Sequence, residues 1–208
     1  LKLTVWGRPN SSNVKKVLWT LDELALDYRL IPLGGKFGGL DDEKYHALNP
    51  NGLVPTLKDG NLVLWESNTI VRYLAARYGH DTLWIADCGR RAQAEKWMDW
   101  TTSTIFKPFQ QILYNAIRWP QDKRDSAQLT RGIQDFEDGL AVLEAGLVQK
   151  TWLSGENFGI GDIIPGVFVY YYYSIAITRQ KRFAKVEDWY RQLQSRDAYR
   201  KNIMTPIT

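Results

Sequence analysis

Cysteine is almost missing from this chain: Cys88 is the only one among 208 residues. A disulfide framework within the chain and any Cys-x-x-Cys metal or redox motif are thereby excluded, and a reducing compartment fits best. Histidine is nearly as scarce, with His46 and His80 the only two. Neither lies close in sequence to a serine that it could serve as a base, so a hydrolase triad has little support. No apolar run approaches the roughly 18 residues that span a bilayer, and no basic segment followed by an apolar one opens the sequence. A cytoplasmic protein without a membrane partner is expected, and the formal glycosylation acceptor Asn10-Ser11-Ser12 then carries no weight. Charge runs are also lacking. Lys and Arg outnumber Asp and Glu by 27 to 23, but they are scattered among acids, so a nucleic-acid partner is not expected.

What is abundant is aromatic: nine Trp, eleven Tyr and seven Phe. Such residues build cores and line pockets alike, so a large core and an aromatic pocket are both open. Trp97, Trp100, Phe106, Phe109, Tyr114, Trp119 and Tyr170 to Tyr173 are the candidate pocket walls, most of them expected in the core. Ordinary apolar and charged fractions, 44% and 24%, describe a globular chain.

Lys2 to Trp6 alternates like a short strand and ends at a Gly-Arg-Pro loop. Val14, Val17, Leu18, Leu21 and Leu24 recur at helical spacing, with Ser11, Ser12 or Asn13 as the N-cap. Tyr28 to Leu33 reads as a second strand, parallel to the first because a helix crosses between them. Gly34 to Leu40 holds four glycines around Lys36 and lacks the spacing of a phosphate-binding loop. Thr56 to Leu57 and Leu62 to Trp65 flank Asp59-Gly60 as a hairpin. Ser67 to Tyr78 is a helix stopped by Gly79. This order is the pattern of a thioredoxin-like domain over 1–79, with a mixed four-stranded sheet.

A linker is expected at 80–89, followed by an all-α domain over 90–208. Arg90 to Ile117 is helical with a break near Lys107, forced by Pro108. Leu129 to Leu147 is amphipathic, Ile160 to Ile177 is apolar nearly all round and therefore buried, and Phe183 to Gln194 is a further helix. The tail after Asp197 carries no period.

Two stretches carry chemistry. In a thioredoxin-like fold the reactive group sits between the first strand and the first helix, and here that turn reads Asn10-Ser11-Ser12-Asn13. A helix N-terminus favours an anion and depresses the pKa of a thiol held there. The plainer reading is an N-cap worth about 1 kcal/mol. The second stretch runs from Asn49 to Asn68. Proline after Val54 is commonly cis at this point of such a domain, which leaves the Val54 backbone free to pair with a peptide ligand. Ser67, opening a helix, can receive a carboxylate, and Glu66 can accept from an ammonium; a strand end followed by a helix cap is the plainer alternative.

Gly7-Arg8-Pro9-Asn10-Ser11-Ser12 with Val17, Ala47-Leu48-Asn49-Pro50-Asn51-Gly52-Leu53-Val54-Pro55, Trp65-Glu66-Ser67-Asn68-Thr69-Ile70 and Phe158-Gly159-Ile160-Gly161-Asp162-Ile163 together resemble the cytosolic glutathione transferases. Within that family the likeness is to bacterial serine-type members of the theta-, phi- and nu-like classes. The resemblance implies a glutathione site in the first domain, a hydrophobic electrophilic co-substrate held between the domains, no metal, and a homodimer. It assigns Ser11 to the thiolate, with Ser12 as the fallback. Asn13 matches the asparagine that a bacterial disulfide-reducing class uses for the same purpose. Val54, followed by Pro55, matches the residue pairing with the cysteinyl backbone, and Glu66 and Ser67 match the pair holding the γ-glutamyl group. Two departures stand out. Gly39, Leu40 and Asp41 replace a basic pair at the glycine end of glutathione, leaving Lys36 for that contact, and Gly159 replaces a Ser or Thr cap. Transfer to an electrophile or a peroxide, glutathione-dependent disulfide reduction, and non-enzymatic ligand binding are the activities the resemblance leaves open.

Overall fold

The computed structural model describes residues 3–80 and 82–208; Lys2, expected in the first strand, and Asp81, expected in the linker, lie outside them. Two compact units are present, one ending at Trp84 and the other running Ile85–Thr208.

The first unit contains, in order, β1 (Leu3–Trp6), α1 (Ser12–Glu23), β2 (Tyr28–Ile31), α2 (Glu43–His46), β3 (Thr56–Asp59), β4 (Leu62–Trp65) and α3 (Ser67–Tyr78). The sheet order is β2-β1-β3-β4, with β1 and β2 parallel and the other pairs antiparallel. This is the mixed thioredoxin-like sheet expected. Val5 lies between Leu30 and Leu57 in register, and with Val14, Val17, Leu18, Leu21, Ile70 and Leu74 it forms the core. Each such side chain, withdrawn from water, contributes roughly 1.5–3 kcal/mol. The hairpin turn is tighter than the four residues expected, because β3 continues to Asp59 and only Gly60-Asn61 connect the strands. Gly60 takes φ 59, which the first residue of a two-residue hairpin loop requires. The helix α2 was not foreseen; Asp42 caps it through Lys44 N at 2.7 Å.

α1 departs from a simple amphipathic helix. Lys15 and Lys16 are buried along with Val14 and Val17. Burial lowers the Lys15 pKa to about 8 and that of Lys16 to about 7, the charge of Glu66 opposing the second shift.

The second unit holds α4 (Cys88–Trp100), α5 (Phe106–Leu113), α6 (Ser126–Gly146), α7 (Ile160–Ser174), α8 (Ala184–Gln194) and α9 (Asp197–Asn202). No break occurs at Lys107, which lies within α5; the helix instead widens into a π turn at Thr101–Ile105, just before α5. Pro108 supplies no N–H to the turn behind it, and a wide turn accommodates the loss. Thr101 Oγ1 donates to Trp97 O at 2.6 Å and Thr102 Oγ1 to Met98 O at 3.2 Å, occupying nearby carbonyls.

α7 is buried from Ile160 to Tyr172. A Cβ on Gly161 would stand 2.8 Å from Ala94 O, so α4 and α7 approach backbone to backbone. Asp162 is wholly buried and accepts from Leu153 N (2.8 Å), Ser154 N (3.2 Å), Gly159 N (3.1 Å) and Trp189 Nε1 (2.9 Å). Burial raises its pKa and these donors oppose the rise. Gly159 has no hydroxyl to cap α7, but Ser154 Oγ accepts from Gly161 N at 2.9 Å and fills that role from the preceding loop. Among the described residues no helix is long and apolar enough to cross a membrane.

Two outcomes are expected. Asp162→Ala leaves four N–H groups without their acceptor and should cost about 3 kcal/mol or more; Asp162→Asn should also destabilise, since its amide nitrogen meets donors. Urea unfolding midpoints measure both. For the buried lysines, the folded pKa is depressed, so above pH 7 the unfolded chain binds more protons and stability rises with pH. The urea midpoint should climb between pH 7 and about pH 9, below the range in which tyrosines titrate, and the slope should flatten in the Lys15→Met/Lys16→Met double variant.

Candidate functional site

The parallel β1-α1-β2 crossover and the β4-to-α3 connection place the N-termini of α1 and α3 side by side, and the two helices pack together. At the start of α1, Ser11 is the N-cap residue, but its side chain makes no capping bond; it is 8% exposed. Ser12 and Asn13 follow in the first turn. At the start of α3, Glu66 is the N-cap residue with φ 72 and ψ 109, a left-handed conformation rare for a side chain of this kind. Ser67, next to it, is buried.

Polar contacts join the two starts. Ser67 Oγ donates to Asn13 Oδ1 at 3.4 Å. Lys16 Nζ donates to Asn13 Oδ1 at 2.9 Å, to Ser67 Oγ at 3.4 Å and to Asn68 Oδ1 at 3.5 Å. An ammonium buried beneath two positive helix ends is unfavourable in itself, which agrees with its lowered pKa.

A cleft of about 50 Å³ opens here, and its walls include Asn13, Val54, Pro55, Glu66 and Ser67. Five of the expected residues thus meet at one place. Ser11 and Ser12 do not line it, although they belong to the turn that carries Asn13. Lys36 does not line it either; it is exposed in a short 3-10 turn, Gly35–Phe37, with Nζ 5.2 Å from the Phe37 ring centroid. The Val54-Pro55 peptide is cis. Among the described residues, the Val54 backbone enters none of the turn and loop hydrogen bonds.

A polar cradle that the sequence did not reveal holds this segment. Leu53 O accepts from Tyr45 Oη at 2.5 Å and from Asn49 Nδ2 at 2.8 Å. The same two side chains meet Thr56 Oγ1 at 2.8 Å and 3.2 Å, and Asn49 Oδ1 accepts from Asn51 N at 3.1 Å. Both residues flanking the Val54-Pro55 step are therefore fixed from inside. Burial is the largest influence on Tyr45 and raises its pKa, so it stays a neutral donor.

Lys16, Asn49 and Tyr45 were missed by sequence reasoning. Only the three-residue spacing of Asn13 and Lys16, which places both on one helix face, was available as a signal. Of the candidate aromatic walls, Trp97, Phe109 and Tyr170 to Tyr172 are buried in the second unit, whereas Trp119 is exposed. Among the described residues, no group of three or more His, Cys, Asp or Glu side chains could hold a metal ion.

The arrangement suits a small zwitterionic peptide. Ser67 and the positive end of α3 can receive a carboxylate, Glu66 can accept from an ammonium, Val54 can offer a backbone pairing edge, and Asn13 can offer an amide.

Comparison with known proteins agrees with this geometry. Residues 1–76 match the family model of the glutathione S-transferase N-terminal domain. The chain is 46% identical to glutathione S-transferase GstB of Escherichia coli K12 over 99% of its own length and 100% of that protein. It is 29% identical to glutathione S-transferase 3 of Zea mays over 77% of its length and 73% of that protein. Among solved structures, a theta class glutathione S-transferase from Xanthomonas axonopodis pv. citri with glutathione bound superimposes with a TM-score of 0.95. The two share 45% identity, with 99% of each chain covered. By sequence and by architecture, the chain belongs to the glutathione S-transferase family.

Proposed function

We propose that this glutathione transferase binds the γ-glutamyl end of glutathione at Glu66 and Ser67, pairs the cysteinyl backbone with Val54, and holds the thiolate with Asn13. Ser11 and Ser12 support the turn that carries Asn13 from outside the cleft wall, Pro55 shapes the edge that Val54 offers, and Lys36 is left for the glycine carboxylate. The observation that carries this reading is the meeting of Asn13 and Ser67 at 3.4 Å beside the Val54-Pro55 step. It brings a carboxylate-binding helix start and an anion-stabilising helix start within the span of one tripeptide.

The second substrate is a hydrophobic small molecule with an electrophilic carbon. The thiol loses its proton to solvent, the thiolate forms the new C–S bond, and the leaving group departs with its electron pair. Two features accelerate this step. The α1 N-terminus and the Asn13 amide lower the thiol pKa, raising the thiolate fraction, and binding both substrates together removes the cost of their encounter. We further propose a cytoplasmic homodimer, which sedimentation equilibrium tests directly.

Asn13 on the cleft wall favours a second reading, glutathione-dependent reduction of small disulfides, since an amide stabilises a thiolate leaving group as well as an attacking one. Thiol release from a small-molecule disulfide, set beside conjugation of an electrophilic aryl halide, separates the two.

Thiolate absorbance of bound glutathione against pH distinguishes the three residues of the α1 turn. Asn13→Ala should raise the bound thiol pKa by about one unit, a tenfold loss of thiolate at fixed pH; Ser11→Ala and Ser12→Ala should raise it less. A shift confined to Ser11→Ala would move the thiolate contact to that hydroxyl. Ser67→Ala should raise KM for glutathione about tenfold, because it removes a carboxylate contact common to ground and transition states.

A further inference from the structure

Asn13 has one acceptor oxygen and one donor NH2 group, and which of them faces the cleft decides the sign of its interaction with sulfur. A thiolate only accepts hydrogen bonds. An amide presenting NH2 stabilises it, whereas an amide presenting oxygen repels it and favours the protonated S–H. The choice is made underneath. An ammonium has three hydrogens and no acceptor, and Lys16 Nζ meets three side-chain oxygens: Asn13 Oδ1 at 2.9 Å, Ser67 Oγ at 3.4 Å and Asn68 Oδ1 at 3.5 Å. The reversed amide would set the Asn13 NH2 against that ammonium, donor against donor. Ser67 adds a second lock, because its hydroxyl also donates to Asn13 Oδ1 at 3.4 Å.

We propose that Lys16 is a positioning residue of the reaction: its ammonium holds the Asn13 oxygen inward, so that only N–H donors face the glutathione sulfur and the site selects thiolate over thiol. This rests on the reading that Asn13 faces the sulfur. Lys16 touches neither substrate; it acts through Asn13. Position supports the role, since Lys16 is 2% exposed and is covered by the start of α3. Burial lowers the Lys16 pKa to about 7 and Glu66 opposes the shift, so the free protein holds the ammonium below neutral pH. A thiolate bound beside Asn13 extends that range upward, because a nearby anion favours the charged lysine.

The test follows thiolate absorbance of bound glutathione against pH in Lys16→Met, Lys16→Arg, Asn13→Ala and the double variant Asn13→Ala/Lys16→Met. Lys16→Met should raise the bound thiol pKa by about one unit, leaving about tenfold less thiolate at fixed pH. Lys16→Arg, which keeps a donor-only cation, should restore most of the shift, and Lys16→Met should add nothing once Asn13 is alanine. An undiminished effect of Lys16→Met in the Asn13→Ala background would overturn the proposal, because the lysine would then act through its charge alone. So would an unmoved pKa in Lys16→Met while Asn13→Ala raises it, an outcome that leaves the glutathione site as described. No shift in Asn13→Ala itself would remove both the site reading and the inference. Should Lys16→Met fail to fold, Lys16→Gln enters the same measurements with the same criteria.

Discussion

The site depends on one buried ammonium that ties two helix starts together. Lys16 reaches Ser67 and Asn68, respectively 51 and 52 positions away in sequence, while also holding Asn13 on its own helix. Three positive features, the ends of α1 and α3 and the ammonium itself, crowd one small cleft with Glu66 nearby. Burial lowers the Lys16 pKa and Glu66 opposes the shift; a nearby anion would favour the charged form further. On the proposed reading, affinity for a carboxylate and stabilisation of a thiolate are two consequences of one electrostatic arrangement.

The other wall is built on a different principle. Around Val54 there is little charge, and position is set by neutral hydrogen bonds whose donors and acceptors are matched. Tyr45 and Asn49 both reach Leu53 O and Thr56 Oγ1. A satisfied buried network of this kind fixes one conformation. It holds the backbone edge at Val54 without using the Val54 backbone.

Much of the fold was legible because periodicity is a direct record of burial. Val14, Val17, Leu18 and Leu21 marked one face of α1, and the apolar run from Ile160 marked a helix enclosed on all sides. The short elements were not legible: α2 has four residues and α9 six, too few for a period. α9 depends on tertiary contacts, Tyr199 being wholly buried with its hydroxyl on Gly166 O at 2.8 Å. At the site, Val54, Pro55, Glu66 and Ser67 could be singled out because proline and helix starts leave local marks. Lys16 could not, since a lysine within an amphipathic helix ordinarily lies in water. Only the covering start of α3, a long-range event, makes it internal. The same limit explains Ser154, whose hydroxyl serves α7 from outside the helix while Gly159 occupies the cap.

Glu66 shows how local strain and function are joined. Its φ of 72 costs a non-glycine residue on the order of 1–3 kcal/mol, and glycine would remove that cost. Glycine would also remove the carboxylate from the cleft wall and the charge that acts on Lys16. A residue with ordinary φ would turn the chain differently between β4 and α3, and Ser67 would no longer open its helix against Asn13. The strained backbone is therefore the geometry that places an acidic side chain and a helix N-terminus at consecutive positions. On the proposed reading, that adjacency matches the ammonium and carboxylate that share the γ-glutamyl end of glutathione.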